Sequence, residues 1–310
     1  MKTSLVTGGA GFLGSHICAR LLHMGHKVIS IDNLQTGRLI NLEPMKSNPN
    51  FTFIEHDIRE AIDIESDWIF NFACPASPPR YQADPIGTTE TNVIGSLNML
   101  ELAKKHNSQI MQASTSEVYG DALEHPQTEP YHGNVNPIGP RSCYDEGKRC
   151  AESLFFDYHR IHDVNIKVIR IFNTYGPNMD PQDGRVISNF IIQALQKKPI
   201  TIYGDGSQTR SFCFVDDLIN GIISMMETDS TFIGPVNLGN PDEHSMNDIA
   251  NKIKALTNSN SQIIHTPIPK DDPRQRKPDI TLAKTKLSWQ PKICIEEGLA
   301  MAIAYFKAQV

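Results

Sequence analysis

The strongest constraint on folding lies at the start of the chain. Lys2 to Thr7 is a short apolar run of strand character that breaks into Gly8-Gly9-Ala10-Gly11-Phe12-Leu13-Gly14, and an amphipathic stretch follows through Met24. Strand, glycine turn and helix in that order predict the opening of a βαβ unit. Gly9, Gly11 and Gly14 fit G-x-G-x-x-G, and Gly8, Gly11 and Gly14 equally fit G-x-x-G-x-x-G. In either reading the missing side chains let backbone amides approach a pyrophosphate at a helix N-terminus. Lys27 to Ile31 predicts a second strand that ends at Asp32, eighteen residues after Gly14. A carboxylate there binds adenosine ribose hydroxyls and repels a 2′-phosphate, which favours NAD over NADP.

The alternation continues with strand-like Phe51 to Glu55 and Trp68 to Phe72, a helical pattern from Pro85 to Lys105, and a strand from Gln109 to Ala113. A further helix spans Tyr144 to His162 and a further buried strand Lys167 to Ile171. Repeated βα units predict an α/β fold, a Rossmann-type doubly wound parallel sheet. Beyond the turn at Asn173-Thr174-Tyr175-Gly176-Pro177 the pattern loosens. Helices at Arg185 to Gln196, Val215 to Met226, Ser245 to Leu256 and Ile295 to Ala308 mix with short extended pieces at Ile200 to Tyr203 and Val236 to Leu238. Ser245 followed by Asp248 resembles a capping box with Asp in place of Glu. This organisation reads as a dinucleotide-binding domain over residues 1–175 and a smaller C-terminal α/β substrate-binding lobe over 176–310, with a soft boundary and interleaved segments.

A chain of 310 residues, 39% hydrophobic and 21% charged, can bury a sizeable core. Its net charge of −6 gives no general basic surface for nucleic acid, although Arg274-Gln275-Arg276-Lys277 could hold an anionic small molecule. No apolar run approaches the roughly 20 residues of a membrane span, and the first residues read as strand rather than signal peptide. The six cysteines lack C-x-x-C or zinc spacing, so reduced thiols, no metal site and a cytoplasmic location are expected.

Tyr144 and Lys148 stand four residues apart, one turn apart on one helical face. A free phenol has a pKa of about 10, and a neighbouring ammonium together with an oxidised nicotinamide would pull it toward neutrality. Tyr144 is thus a candidate base for a substrate hydroxyl.

The glycine fingerprint, the Tyr144/Lys148 pair and Ser114-Thr115-Ser116-Glu117-Val118-Tyr119-Gly120 resemble the extended short-chain dehydrogenase/reductase superfamily. Ala76-Ser77-Pro78-Pro79, Asn136 to Arg141, Tyr144 to Arg149, Gly206 to Arg210 and Arg276-Lys277-Pro278-Asp279 resemble its UDP-glucuronic acid decarboxylase (UDP-xylose synthase) family over essentially the whole chain. The resemblance implies conversion of UDP-glucuronate to UDP-xylose and CO2 through a 4-keto sugar, with NAD regenerated in the site. It implies Tyr144, Lys148 and Thr115 for redox at C4, and Glu117 and Arg276 for the carboxylate step. For NAD it implies Gly8, Gly11, Phe12, Leu13, Gly14, Asp32, Asn33, Thr36, Gly37, Asp57, Ile58 and Thr174, together with Tyr144 and Lys148. For the UDP-sugar it implies Asn173, Asn189, Tyr203 and Arg210 together with Arg276. A homodimer through the two long helices is also implied. The alternatives are a C4 epimerase, a 4,6-dehydratase, a decarboxylase that releases the 4-keto pentose and NADH, and a non-catalytic NAD-sensing scaffold. The dehydratase is disfavoured because Thr115-Ser116-Glu117 lacks that family's Asp, and the scaffold because Thr, Tyr and Lys are all present.

Overall fold

A computed structural model of the protein describes residues 1–268 and 275–310; Arg274 of the basic run lies outside the described residues. Seven strands form one sheet: β1 (Thr3–Thr7), β2 (Lys27–Asp32), β3 (Phe51–Glu55), β4 (Trp68–Asn71), β5 (Gln109–Thr115), β6 (Ile166–Ile171) and β7 (Val236–Leu238). Their order is β7-β6-β5-β4-β1-β2-β3, and every adjacent pair is parallel. The sheet is the expected doubly wound α/β type. Successive residues of a strand face opposite sides. Accordingly Leu5 and Ile69 enter one apolar cluster with Met99, Leu100 and Phe155, whereas Val6 and Phe70 enter the other with Ile17, Leu21 and Leu218. Both faces are covered, which explains why the central strands read as continuous apolar runs.

The covering helices are α1 (Phe12–His23), α2 (Pro78–Ala83), α3 (Pro85–Glu90), α4 (Ser96–His106), α5 (Ser142–His162), α6 (Val186–Leu195), α7 (Val215–Met226), α8 (Met246–Thr257), α9 (Thr281–Leu287) and α10 (Ile295–Lys307). The single helix expected from Pro85 to Lys105 is interrupted: a π turn at Thr91–Gly95 joins α3 to α4. Local side chains compete for its carbonyls, Thr91 Oγ1 donating to Gly87 O at 2.7 Å and Asn92 Nδ2 to Thr88 O at 3.1 Å. The turn presses Asn92 against α5, where a Cβ on Gly147 would lie 2.9 Å from Asn92 Nδ2.

Residues beyond β6 serve both the sheet and a second cluster of elements. After α7, which packs on α1 and β6, the chain returns to the sheet edge as β7. The rest includes Ile200–Tyr203 paired in parallel with Ile263–Thr266, and Thr209–Ser211 paired antiparallel with Glu243–Ser245. α6, α8 and α10 pack together beside these strands. Ser245 caps α8 as its sequence suggests, its hydroxyl accepting from Asp248 N at 3.0 Å. Among the described residues no helix is long and apolar enough to cross a membrane.

Candidate active site

The strand order changes direction between β1 and β4, and a cavity of about 720 Å³ opens there at the carboxyl ends of the strands. Its first wall is the glycine turn. Gly8 takes φ +67°, and a Cβ on it would lie 2.9 Å from the backbone of Ala73. A Cβ on Gly14 would lie 2.1 Å from Gly8 O, so only glycine lets α1 begin this close to β1. Thr7 Oγ1 accepts from Phe72 N and Ala73 N at 3.0 and 3.1 Å, which locks the ends of β1 and β4 together beneath the opening.

Asp32 ends β2 and lines this wall. Its carboxylate accepts from Ala10 N at 3.0 Å and Leu34 N at 2.8 Å, while burial pushes its pKa upward against those hydrogen bonds. Asn33 Nδ2 donates to Asp57 at 2.9 Å. Burial would raise the Asp57 pKa, but hydrogen bonds from Arg59 outweigh it and hold the acid at about 2. Phe12, Leu13, Gly11, Thr36, Ile58 and Thr174 also line the cavity. Gly37, between the lining residues Thr36 and Arg38, does not itself line the cavity; a Cβ there would lie 2.6 Å from the Asp32 carboxylate oxygens, so its glycine makes room for Asp32.

At the middle of the cavity the first turns of α5 present Tyr144 and Lys148, both buried. Lys148 Nζ donates to Ala113 O at 2.9 Å and sits 5.9 Å from the centroid of the Tyr144 ring. The Tyr144 ring stacks on Tyr81 of α2 with centroids 5.1 Å apart and planes 6° apart. Burial pushes the Tyr144 phenol well above its ordinary pKa, Cys74 adds to the rise, and a hydrogen bond with Thr115 opposes it. Burial therefore outweighs the hydrogen bond and keeps the phenol protonated; the fixed positive charge of an oxidised nicotinamide would act in the opposite sense. Burial likewise lowers the Lys148 pKa. Thr115 ends β5 and caps the 3-10 turn Ser116–Tyr119, its hydroxyl accepting from Glu117 N at 3.2 Å.

That turn aims Glu117 into the cavity. Arg276 Nη2 donates to Glu117 Oε2 at 2.7 Å while Nη1 reaches Oε1, a bidentate pair joining positions 159 residues apart. Arg141 Nη2 donates to the same Oε2 at 2.6 Å. Burial alone would raise the Glu117 pKa, but Arg276 and Arg141 outweigh it and hold the carboxyl at about 2. Glu117 is therefore a fixed anion at neutral pH. Neither it nor Arg276 belongs to a solvated surface; both are enclosed.

The far end of the cavity belongs to the residues after β6. Asn173 and Arg210 line it, Asn189 Nδ2 donates to Gly184 O at 3.0 Å, and Tyr203 stands at the rim, 51% exposed. Arg185, ion-paired with Asp183 at 2.5 Å, faces the same space from the start of α6. Apart from Gly9 and Gly37, every residue named in the sequence for the cofactor, the chemistry or the UDP-sugar lines this one cavity.

Two site residues escaped the sequence reading. Arg141 appeared there only inside the motif Asn136 to Arg141, and its adjacency to Glu117 depends on the loop between β5 and α5. Tyr81 lies just after Ala76-Ser77-Pro78-Pro79, which the sequence offered only as a family motif; Pro in the first turn starts α2 there and brings the ring to the site. Its buried hydroxyl lines the cavity with no hydrogen-bond partner among the described residues. Burial raises its pKa, and Arg141, Glu117 and Arg276 are among the charges that act on it.

The wider relationships of the chain agree with this geometry. The family model described as GDP-mannose 4,6 dehydratase matches residues 5–302. UDP-glucuronic acid decarboxylase 4 of Arabidopsis thaliana is 53% identical over 306 residues, 99% of this chain and 69% of the relative. UDP-glucuronic acid decarboxylase 1 of Danio rerio is 52% identical over 309 residues, 100% of this chain and 73% of the relative. Among solved structures, the UDP-glucuronic acid 4-epimerase of Bacillus cereus in complex with UDP-glucuronic acid and NAD superposes with a TM-score of 0.90 at 29% identity, covering 99% of this chain and 100% of the epimerase. The UDP-glucose 4-epimerase of Thermotoga maritima with UDP-glucose gives 0.89 at 30% identity, covering 99% of each chain. Placed beside a cavity that pairs a Thr-Tyr-Lys set with an arginine-bound glutamate, these likenesses establish that the chain belongs to the UDP-glucuronic acid decarboxylase family, within the wider family of the GDP-mannose 4,6-dehydratase model.

Proposed function

We propose that this cavity decarboxylates UDP-glucuronate to UDP-xylose and CO2 through a 4-keto sugar, with NAD regenerated in place. The observation that carries this reading is one wall on which Tyr144, Thr115 and Lys148 adjoin Glu117 clasped by Arg276 and Arg141. A redox apparatus and a carboxylate-handling apparatus thus face the same space. The glycine cradle at Gly8 and Gly14 and the carboxylate of Asp32 fit a dinucleotide at the other end.

Gly8, Gly14 and Asp32 would hold NAD, which would supply a reversible hydride acceptor for C4 of the sugar. Tyr144 takes the C4 hydroxyl proton, Thr115 orients that hydroxyl, and Lys148 carries the positive charge that favours the phenolate. The oxidised sugar is a β-keto acid, so the bond from C5 to the C6 carboxylate can break with its electrons passing into the C4 carbonyl. Arg276 binds the C6 carboxylate. Glu117, held ionised, fixes the guanidinium and opposes retention of negative charge at C6, so that neutral CO2 is the favoured leaving form. Protonation at C5, supported by Arg276 and water, precedes reduction at C4. Arg210 supplies a planar donor fork for the diphosphate, Asn173 and Asn189 position the sugar nucleotide, and Tyr203 packs on the uracil.

In this reading the seven-stranded sheet and its helices hold NAD, and the elements around Ile200–Tyr203 and Thr209–Ser211 hold the nucleotide sugar. The protein is a homodimer that pairs through α3, α4 and α5; the exposed Ile86 of α3, Ile94 of the π turn that joins α3 to α4 and Ile161 of α5 support this. It works in the cytoplasm, which the six free cysteines support. Incubation with UDP-glucuronate and a trace of NAD tests the activity. UDP-xylose should form in large excess over the cofactor; NADH accumulating in step with CO2 would defeat the closed redox cycle. Light scattering of the purified protein tests the dimer.

A further inference from the structure

Asp145 follows the tyrosine on α5 and is only 6% exposed, yet no step of the proposed chemistry uses it. Its Oδ1 is enclosed without a hydrogen-bond partner among the described residues, which is an expensive position for an ionised carboxyl. It lies one helical turn from Arg141, its backbone N–H donating to Arg141 O at 3.1 Å. Arg141 binds Glu117, and Glu117 binds Arg276, so a buried acid stands directly behind the wall assigned to the sugar carboxylate.

The charged and titratable groups that face Asp145 are Glu117 from the 3-10 turn, Arg141 and Glu146 from its own helix, Arg276 from the C-terminal stretch, Tyr81 from α2 and the adjacent Cys143. Of the two buried acids, Glu117 has both guanidiniums and stays ionised. Asp145 has no such pair among the described residues, and burial together with the Glu117 charge pushes its pKa up to about 7.

We infer that Asp145 is a proton-holding positioning residue: by staying neutral it keeps the Arg141–Glu117–Arg276 wall receptive to the C6 carboxylate, so UDP-glucuronate binds with uptake of a proton. Ionised Asp145 adds a negative charge behind that wall and opposes an incoming anion; a bound carboxylate in turn favours the protonated acid. The coupling is specific to the carboxylate. A nucleotide sugar without one gains nothing from the proton.

The inference rests on the proposed function and is tested on the NAD-loaded full chain in a Tyr144→Phe background that does not turn over. Calorimetric titration with UDP-glucuronate from about pH 6 to about pH 9 should show affinity falling on the order of tenfold across the upper part of that range. In buffers of different ionisation enthalpy, binding at about pH 8 should take up a proton. UDP-xylose should show neither effect. Adding Asp145→Asn should make UDP-glucuronate affinity flat with pH and abolish the uptake, while UDP-xylose binding stays as before. A pH dependence retained in the Asp145→Asn chain, or equal proton uptake with UDP-xylose, would overturn the inference while leaving the proposed function intact. Failure of the wild-type pocket to bind UDP-glucuronate at any pH would overturn both. The uptake measurement on the chain with native Asp145 stands even where the Asn variant folds poorly.

Discussion

Replacing Glu117 by Gln removes one charge and almost no volume, and the structure sets the size of the effect. In the folded chain the carboxyl is held at about 2 against an ordinary 4.5, which corresponds to about 3 kcal/mol of stability from ionised Glu117. The carboxyl is depressed, so this contribution is complete above about pH 4.5 and is lost as pH falls through about 2. Gln cannot neutralise Arg276 and Arg141, which then repel each other across an enclosed space; breaking a buried ion pair by removing one partner typically costs about 3 to 5 kcal/mol. For 310 residues an effect of about 3 kcal/mol lowers Tm by about 5 °C. Thermal melts at about pH 7 should show this deficit in Glu117→Gln, and the gap should narrow below about pH 4.5 as the unfolded wild-type chain takes up its proton, closing as pH falls through about 2. Decarboxylation should fall much further than stability does, because Arg276 loses its fixed orientation. A variant melting within about 1 °C of wild type at neutral pH, or a gap that widens in acid, would refute the assignment of Glu117 as the anion that organises this wall.

Tyr144→Phe keeps the ring stacked on Tyr81 and removes only the acid–base oxygen; turnover should fall by about a hundredfold or more with NAD affinity and Tm unchanged, as measured by product formation and cofactor fluorescence titration. Gly14→Ala places a methyl 2.1 Å from Gly8 O, so NAD binding should be lost and the melting curve shifted down, both followed on one purified sample. Ser245→Ala removes the α8 cap on the strand pair beside Arg210 and not on the Tyr144 wall; about 1 kcal/mol of stability should disappear in denaturant titration while kcat stays as it was.

How much of the molecule is legible in its sequence depends on the range of the interaction. β1, the glycine turn, α1 and Asp32 are set by contacts between near neighbours, and local pattern placed each of them. The Tyr144/Lys148 face follows from helical period alone. The π turn at Thr91–Gly95 was hidden because Thr and Asn side chains rob the helix of carbonyls without breaking its apolar rhythm. β7 is three residues long and reaches the sheet only after α7, so no local signal assigns it to an edge beside β6. The same limit applies at the site. Glu117 and Arg276 were legible as motif positions, but nothing local shows that they form one bidentate pair or that Arg141 shares the same oxygen.

The Bacillus cereus epimerase that shares this fold also binds UDP-glucuronic acid and NAD, so the sheet and the glycine cradle cannot by themselves decide the fate of the bound sugar. That decision belongs to the opposite wall. There Glu117 is carried by a 3-10 turn that Thr115 caps, so the residue proposed to orient the C4 hydroxyl also sets the angle of the acid beside C6. Tyr81 ties the two functions together from the other side, its ring against Tyr144 and its buried hydroxyl near Arg141 and Glu117. Redox and carbon–carbon cleavage are thus coupled by rigid packing over one turn of backbone and one stacked ring. A shift in either would misplace both steps at once, which is why the chain encloses this wall so completely while leaving Tyr203, at the nucleotide end, half open to solvent.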